Sequence, residues 1–241
     1  MRSGRIAAIV AGLAIAVVHA AAAQRADEPP VPAAPQASAD KLVYADFEGG
    51  KPVSSRGGTV SLTAYQESDL HKTMVKGVDG SNVPELVHVK PGDPNHLAKL
   101  DFAIMAPNNY AGAGIEIKGQ ADADGKTPAD DVTGFKKITF QLYAKGAETI
   151  RVEAISHGYG VDLQAGYPQM SFKVKPGLNT YEVALKTLGQ PGWVDVKLDP
   201  KKILQKLTAL SIAVYCDQGK PETACRPTEG MMIVDNVTFE K

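Results

Sequence analysis

Three acidic side chains near the two ends of this 241-residue chain carry its sharpest chemistry. Asp235 falls in phase with Ile233, Val237 and Phe239, an alternating apolar set of the kind that faces a core. An ionised carboxylate in such a place is costly to desolvate, so it needs a cation, several hydrogen-bond donors or a raised pKa. Asp46 and Glu48 share one face of the first predicted strand. Two carboxylates cannot neutralise a third, but all three can surround a hard cation with oxygen ligands, which is calcium chemistry. A salt bridge from a lysine or arginine meets the same demand, and the residues alone leave both readings open.

A second constellation lies in mid-chain. Ile138, Phe140 and Leu142 alternate as one apolar face, and Ile150, Val152 and Ala154 as another. If these runs pair as a hairpin with both apolar sets on one side, the loop must be odd, most simply Lys145-Gly146-Ala147. Gln141 then sits across from Arg151 and Thr139 across from Glu153, with Tyr143 beside them. Amide, guanidinium, carboxylate and phenol groups would share the outer surface of one sheet. Such a face is either a plain solvated surface or a sugar-binding one, where rings stack on C–H surfaces and planar polar groups make paired hydrogen bonds to hydroxyls.

Cys216 and Cys225, the two cysteines present, lie in a segment with Gly219, Pro221 and Pro227. In an exported chain they are expected to form a disulfide, worth about 2–3 kcal/mol for so small a ring. A catalytic cysteine or a two-cysteine metal site lacks a histidine at ligand spacing. The stretch from Gly119 to Thr127 imitates a phosphate loop but has five residues between its glycines, and its aspartates repel phosphate. Asp122-x-Asp124-Gly125 lacks the glutamate that would close an EF-hand. His71, His88, His96 and His157 are scattered, no nucleophile elbow occurs, and Asn236-Val237-Thr238 matches a glycosylation sequon inside a predicted strand. A pair of carboxylates for glycoside hydrolysis is defined by spacing in three dimensions, which a sequence does not display.

The elements that must position these groups are strands. Short alternating runs punctuated by Gly and Pro predict strands at Leu42–Glu48, Gly58–Tyr65, Leu86–Val89, Leu97–Met105, Gly112–Lys118, Lys137–Ala144, Thr149–Ser156, Met170–Val174, Thr180–Leu185, Ala209–Tyr215 and Met231–Phe239. Asp199 as N-cap and Pro200 at the first helical position predict a short helix, Pro200–Leu207. The expected class is all-β, a sandwich of two antiparallel sheets.

Residues 1–23 have the anatomy of a signal peptide: Arg2 and Arg5, an apolar run from Ile6 to Val18, and Ala21-Ala22-Ala23 for cleavage. Residues 24–40, with Pro29, Pro30, Pro32 and Pro35, form a Pro/Ala-rich linker. Residues 41–241 are expected to be a single β-sandwich domain. The 26 basic residues include Arg2 and Arg5, so the exported part carries 24 against 27 acidic ones, which excludes nucleic acid as a partner. The apolar run is too short for a mature span, so no membrane insertion is expected and the product is periplasmic or secreted, as a monomer.

Tyr44-Ala45-Asp46-Phe47-Glu48-Gly49-Gly50 at the start and Ile233-Val234-Asp235-Asn236-Val237-Thr238-Phe239 at the end resemble the termini of galactose-binding-like jelly-roll domains. The likeness is to family 11 carbohydrate-binding modules and to the complex I intermediate-associated protein 30 family. Gly112-Ala113-Gly114-Ile115, the Phe135–Ala144 run and the stretch from Asn179 to Trp193 are similar to the middle of the same pattern. The resemblance implies a jelly roll, a structural calcium held through Asp46, Glu48 and Asp235, and a glycan or polysaccharide as partner without catalysis. Gln141, Tyr143, Arg151 and Glu153 would meet the sugar, with Tyr159 and Trp193 reaching in from loops and Tyr167 as a further platform. A protein-interaction or assembly module is the alternative on the same fold, and a glycosidase or lyase ranks below it.

Overall fold

The computed structural model describes residues 40–65, 73–104, 112–120, 129–157, 166–215 and 228–241. The leader, most of the linker, Tyr159, Cys216 and Cys225 lie outside the described residues.

Among the described residues twelve strands form two antiparallel sheets: β1 (Lys41–Ala45), β2 (Val60–Tyr65), β3 (Thr73–Lys76), β4 (Glu85–Val87), β5 (Leu97–Ile104), β6 (Gly112–Lys118), β7 (Lys137–Lys145), β8 (Thr149–Ile155), β9 (Gln169–Lys173), β10 (Asn179–Ala184), β11 (Ala209–Tyr215) and β12 (Thr228–Glu240). The first sheet runs β10-β7-β12-β5-β3, with β1 also on β12 and β4 also on β5. The second runs β2-β6-β11-β8-β9. Strand β12 is long enough to take β5 along its first half and β1 along its second, which joins the two ends of the domain. Among the described residues the α-helix is α1 (Pro200–Gln205), capped as its sequence predicts by Asp199, whose carboxylate accepts the Lys201 N–H at 2.9 Å. No helix among these residues is long and apolar enough to cross a membrane.

Alternation explains the layers. In β7, Ile138, Phe140 and Leu142 are buried while Thr139, Gln141 and Tyr143 face out. In β8, Ile150, Val152 and Ala154 are buried while Arg151 and Glu153 face out. The inner faces of the two sheets meet in one core, a sandwich of jelly-roll type. Phe140 ties the layers: its ring stacks on Tyr181 of β10 at 5.8 Å and meets Phe172 of β9, in the opposite sheet, at 5.9 Å.

Three expectations are corrected here. β7 and β8 do not pair: β7 lies between β10 and β12, and β8 between β11 and β9. Gln141 therefore stands opposite Thr180 and Asp235, Arg151 opposite Ala213 and Ser171, and Glu153 opposite Ser211 and Gln169. Two apolar faces are buried equally well side by side in one sheet or face to face across a core, and phase alone does not choose. The chain crosses between sheets at Gly146, whose φ of 80° and approach to the Glu229 carbonyl leave no room for a Cβ. Second, Asp235 points outward. Met232 and Val234 face the core, a bulge at Asn236 (φ 51°) shifts the register, and Val237 and Phe239 face the core again. Third, β3 is a strand that the pattern did not show, because it is four residues long and turns Met74 outward at 52% exposure.

Phe140→Ala removes the contact shared by both layers and is expected to cost about 3–5 kcal/mol in a denaturant titration, as other buried Phe truncations do. A loss under 1 kcal/mol would contradict the placement of Phe140 at the centre of the sandwich.

Candidate functional site

The outer face of the second sheet carries a trough, and the strands beneath it bear small outward residues. The central strand β11 turns Ala209, Ser211 and Ala213 outward, and its neighbour β6 turns out Gly112 and Gly114. Larger groups rise around them to enclose a cleft of about 200 Å3, with Tyr65, Glu116, Arg151, Glu153, Tyr167 and Tyr215 among its walls and Trp193, 57% exposed, at its rim. Gly112 has a specific reason to be glycine. A Cβ there would sit 2.7 Å from the ring of Tyr215. Without it, the Tyr215 and Tyr65 rings stack at 5.7 Å, and the Arg151 guanidinium lies 3.7 Å above the Tyr215 ring.

Polar groups line the other wall. The registers place Glu116, Ser211, Glu153 and Gln169 in one row across β6, β11, β8 and β9. Burial pushes the Glu153 carboxyl up to about 7, against the opposing pull of Arg151 and of the Tyr167 N–H, and the Glu116 charge adds to the rise. Burial also raises Tyr65, with hydrogen bonds from Thr63 and Ser211 acting the other way. Arg151 Nε and Gln169 Oε1 are buried without a protein partner, so each has a hydrogen bond to give or receive. At the near end the Tyr167 and His157 rings meet edge to face at 5.8 Å. The trough thus combines ring faces for stacking with planar, partly unsatisfied polar groups, the means by which proteins hold polyhydroxylated ligands.

Arg151, Glu153, Trp193 and the further platform Tyr167 are the predicted residues that meet in this trough. Gln141 and Tyr143 lie on the opposite outer surface, that of the first sheet. There Tyr143 borders an apolar hollow with Val87, Leu97, Leu178 and Ile233. Tyr65, Glu116, Gln169 and Tyr215 were not anticipated. Their signal was the pairing of bulky polar outward positions with glycine and small residues on β6 and β11.

The three predicted metal ligands are neighbours. Asp235 is fully buried under the loops that carry Asp46, Glu48 and Asn95. Its Oδ2 accepts hydrogen bonds from the amides of Asn95 at 3.1 Å and Asn236 at 2.9 Å. Burial raises its carboxyl to about 6; the Asn95 side-chain amide and the Asn236 backbone N–H oppose the rise, and the Glu48 and Asp46 charges add to it. Among the described residues no ion pair engages Asp235, so the salt-bridge reading finds no support. Asp235 Oδ1 and Asn95 Oδ1 are both buried without a partner. These oxygens suit a hard cation, although Asp46, whose Oδ1 accepts from Ser55 at 3.0 Å, and Glu48 do not close a three-carboxylate cluster with Asp235.

The fold has solved relatives. The chain superposes on the family 11 carbohydrate-binding module of the cellulosomal cellulase Lic26A-Cel5E of Clostridium thermocellum with a TM-score of 0.50 and 13% identity, covering 85% of this chain and 96% of the module. It matches a family 11 module from the same organism in complex with a β-1,3-1,4-mixed-linked tetrasaccharide equally well, at TM-score 0.50 and 14% identity, over 85% of this chain and 97% of that one. The fold is that of a carbohydrate-binding jelly roll. A family 30 carbohydrate-binding module follows at TM-score 0.44 and 9% identity, over 69% of this chain and 77% of the module. No family model matches the sequence, and no curated protein does.

The Glu153 environment has a measurable sign. A carboxyl raised from 4.5 to about 7 favours its protonated form in the folded state, so this contribution to stability is complete below about pH 4.5 and is lost as pH rises through 7. Glu153→Gln is expected to flatten the fall in melting temperature over that window. Parallel wild-type and variant curves would show that the carboxyl is better solvated than its surroundings indicate.

Proposed function

We propose that this chain is an exported, non-catalytic carbohydrate-binding protein that seats a glycan in the trough of the second sheet. The observation that carries this reading is the meeting, in one cleft, of stacked Tyr65 and Tyr215, the rim Trp193 and the unsatisfied polar atoms of Arg151 and Gln169. Sugar rings offer C–H surfaces to the aromatic groups and vicinal hydroxyls to the planar ones. The jelly-roll likeness to a family 11 module solved with a tetrasaccharide supports the reading. The leader-like residues 1–23 support export.

A glycan array followed by calorimetry on its best ligand tests the site. Arg151→Ala is expected to weaken binding by about 1.5–3 kcal/mol, the range for a hydrogen bond from a charged group. Trp193→Ala weakens it through lost stacking, while Tyr143→Ala, on the opposite surface, leaves it unchanged. Loss with Tyr143→Ala alone would move the site to the first sheet. An array without a single ligand would favour a protein-interaction module.

Calcium is the second part of the proposal. Bound by Asp235 and Asn95 with Asp46 and Glu48 nearby, it would relieve the buried carboxylate and clamp β1 to β12. Its role would be structural. At 100 times its dissociation constant a ligand adds about 2.7 kcal/mol to stability. Chelation should therefore lower the wild-type melting temperature and leave Asp235→Asn unaffected; a wild-type melt unchanged by chelator would remove calcium from the account.

A further inference from the structure

We infer that the trough reads the charge of its ligand, with Glu116 and Glu153 as the selecting pair: neutral and amino-bearing sugars are admitted, and uronate- or sulfate-bearing ones are turned away. The inference rests on the trough being the glycan site.

Geometry supplies the argument. Glu116 on β6 and Glu153 on β8 flank β11 in one outward row, so their backbones stand two strand spacings apart, roughly 9.5 Å. The residue between them is Ser211, too short to screen one carboxylate from the other or from a ligand lying across both. Both glutamates line the cleft, so any sugar seated in it lies within reach of two negative groups. Among the described residues the opposing charges in the lining are few. Arg151 sits two residues from Glu153 on the same strand, with its guanidinium plane laid over Tyr215, and His157 stands exposed at the end of the trough. With both glutamates ionised, the acidic groups outnumber Arg151 two to one in a partly desolvated cleft, where like charges brought together cost far more than in open water. An acidic glycan meets that field with its own charge. A neutral one offers only hydroxyl donors, which carboxylates accept, and an ammonium group gains the attraction and also suits the ring faces of Tyr65, Tyr167 and Trp193.

The selection depends on protonation. The groups facing Glu153 are Glu116 from β6, Arg151 on β8 itself, Tyr65 and Tyr215 from β2 and β11, and His157, Tyr167 and Gln169 from the segments that close the trough. Because Glu153 is held at about 7, it is charged at pH 8 and largely neutral at pH 5.5. Exclusion of acidic sugars is therefore strongest in mild alkali.

The test uses the whole folded chain and an array of gluco, galacto and manno hexamers, each in neutral, 2-amino and uronate form, read at pH 8 and 5.5, with binders titrated by calorimetry. For the backbone that binds, the uronate hexamer is expected to be weaker than its neutral counterpart by at least about tenfold at pH 8, with a smaller gap at pH 5.5. In the Glu116→Gln, Glu153→Gln double variant the gap should close to about twofold or less at both pH values, since Gln keeps the hydrogen-bonding shape without the charge. A thermal melt of the variant establishes that it is folded. Uronate binding equal to or tighter than neutral binding in the wild type overturns the inference, and would identify Arg151 as a carboxylate receptor instead. A gap that persists in the double variant overturns it as well. Silence from every hexamer removes the glycan reading itself and this inference with it, whereas binding without an order by charge removes the inference alone.

Discussion

The burial of two apolar sheet faces against each other is the constraint on which the rest of this molecule depends. Once Ile138, Phe140 and Leu142 of β7 face Ile150, Val152 and Ala154 of β8 across the core, the polar partners of each strand must point in opposite directions. Gln141 and Tyr143 go to one outer surface, and Arg151 and Glu153 go to the other. A single functional face built from both strands is then impossible, whatever their side chains could do together. The trough exists because the second sheet spends its outward positions unevenly, with small residues on β11 and β6 and large ones around them.

Polar burial away from the trough is structural in character. Arg56 donates to Asp130 at 2.9 Å beneath the strand ends, and Ser54 Oγ donates to the Gly119 carbonyl at 3.1 Å. Tyr44, fully buried in β1, is raised well above the usual phenol range by that burial first and by the Asp130 charge second. Gly119 is hemmed in by the same groups: a Cβ there would meet Asp130 Oδ2 at 2.3 Å and the Tyr44 hydroxyl at 2.6 Å. This knot fixes β1 and the 54–58 turn against the end of β6. Within it Tyr44 Oη, Arg56 Nε and Asp130 Oδ2 are buried without a hydrogen-bond partner, as Arg151 Nε and Gln169 Oε1 are in the trough.

Much of the fold was legible in the sequence because alternation is a local property. The strands from Leu97 to Tyr215 and the Asp199-capped helix follow directly from it. What was not legible depended on choices made between distant segments. The partner of β7 is β12, some ninety residues later, and the bulge at Asn236 that puts Val237 and Phe239 out of phase with Asp235 has no signature in the apolar pattern around it. The trough has the same origin. Tyr65, Glu116, Glu153 and Tyr215 come from four strands, so their proximity is created by sheet order and not by spacing along the chain. Arg151, Glu153 and Trp193 were nonetheless found, because outward polar and aromatic positions are visible strand by strand even when their neighbours are not.

The account stands or falls on which surface meets the glycan. The most direct measurement is a backbone amide chemical-shift map of the folded chain, recorded while the tightest array ligand is titrated in. The trough predicts that perturbations concentrate on β6, β8 and β11, around Glu116, Arg151, Glu153, Ser211 and Tyr215, and extend to Tyr167 and Trp193. Perturbations concentrated on β7 and β12, around Gln141, Tyr143 and Ile233, with the second sheet unmoved, would contradict it.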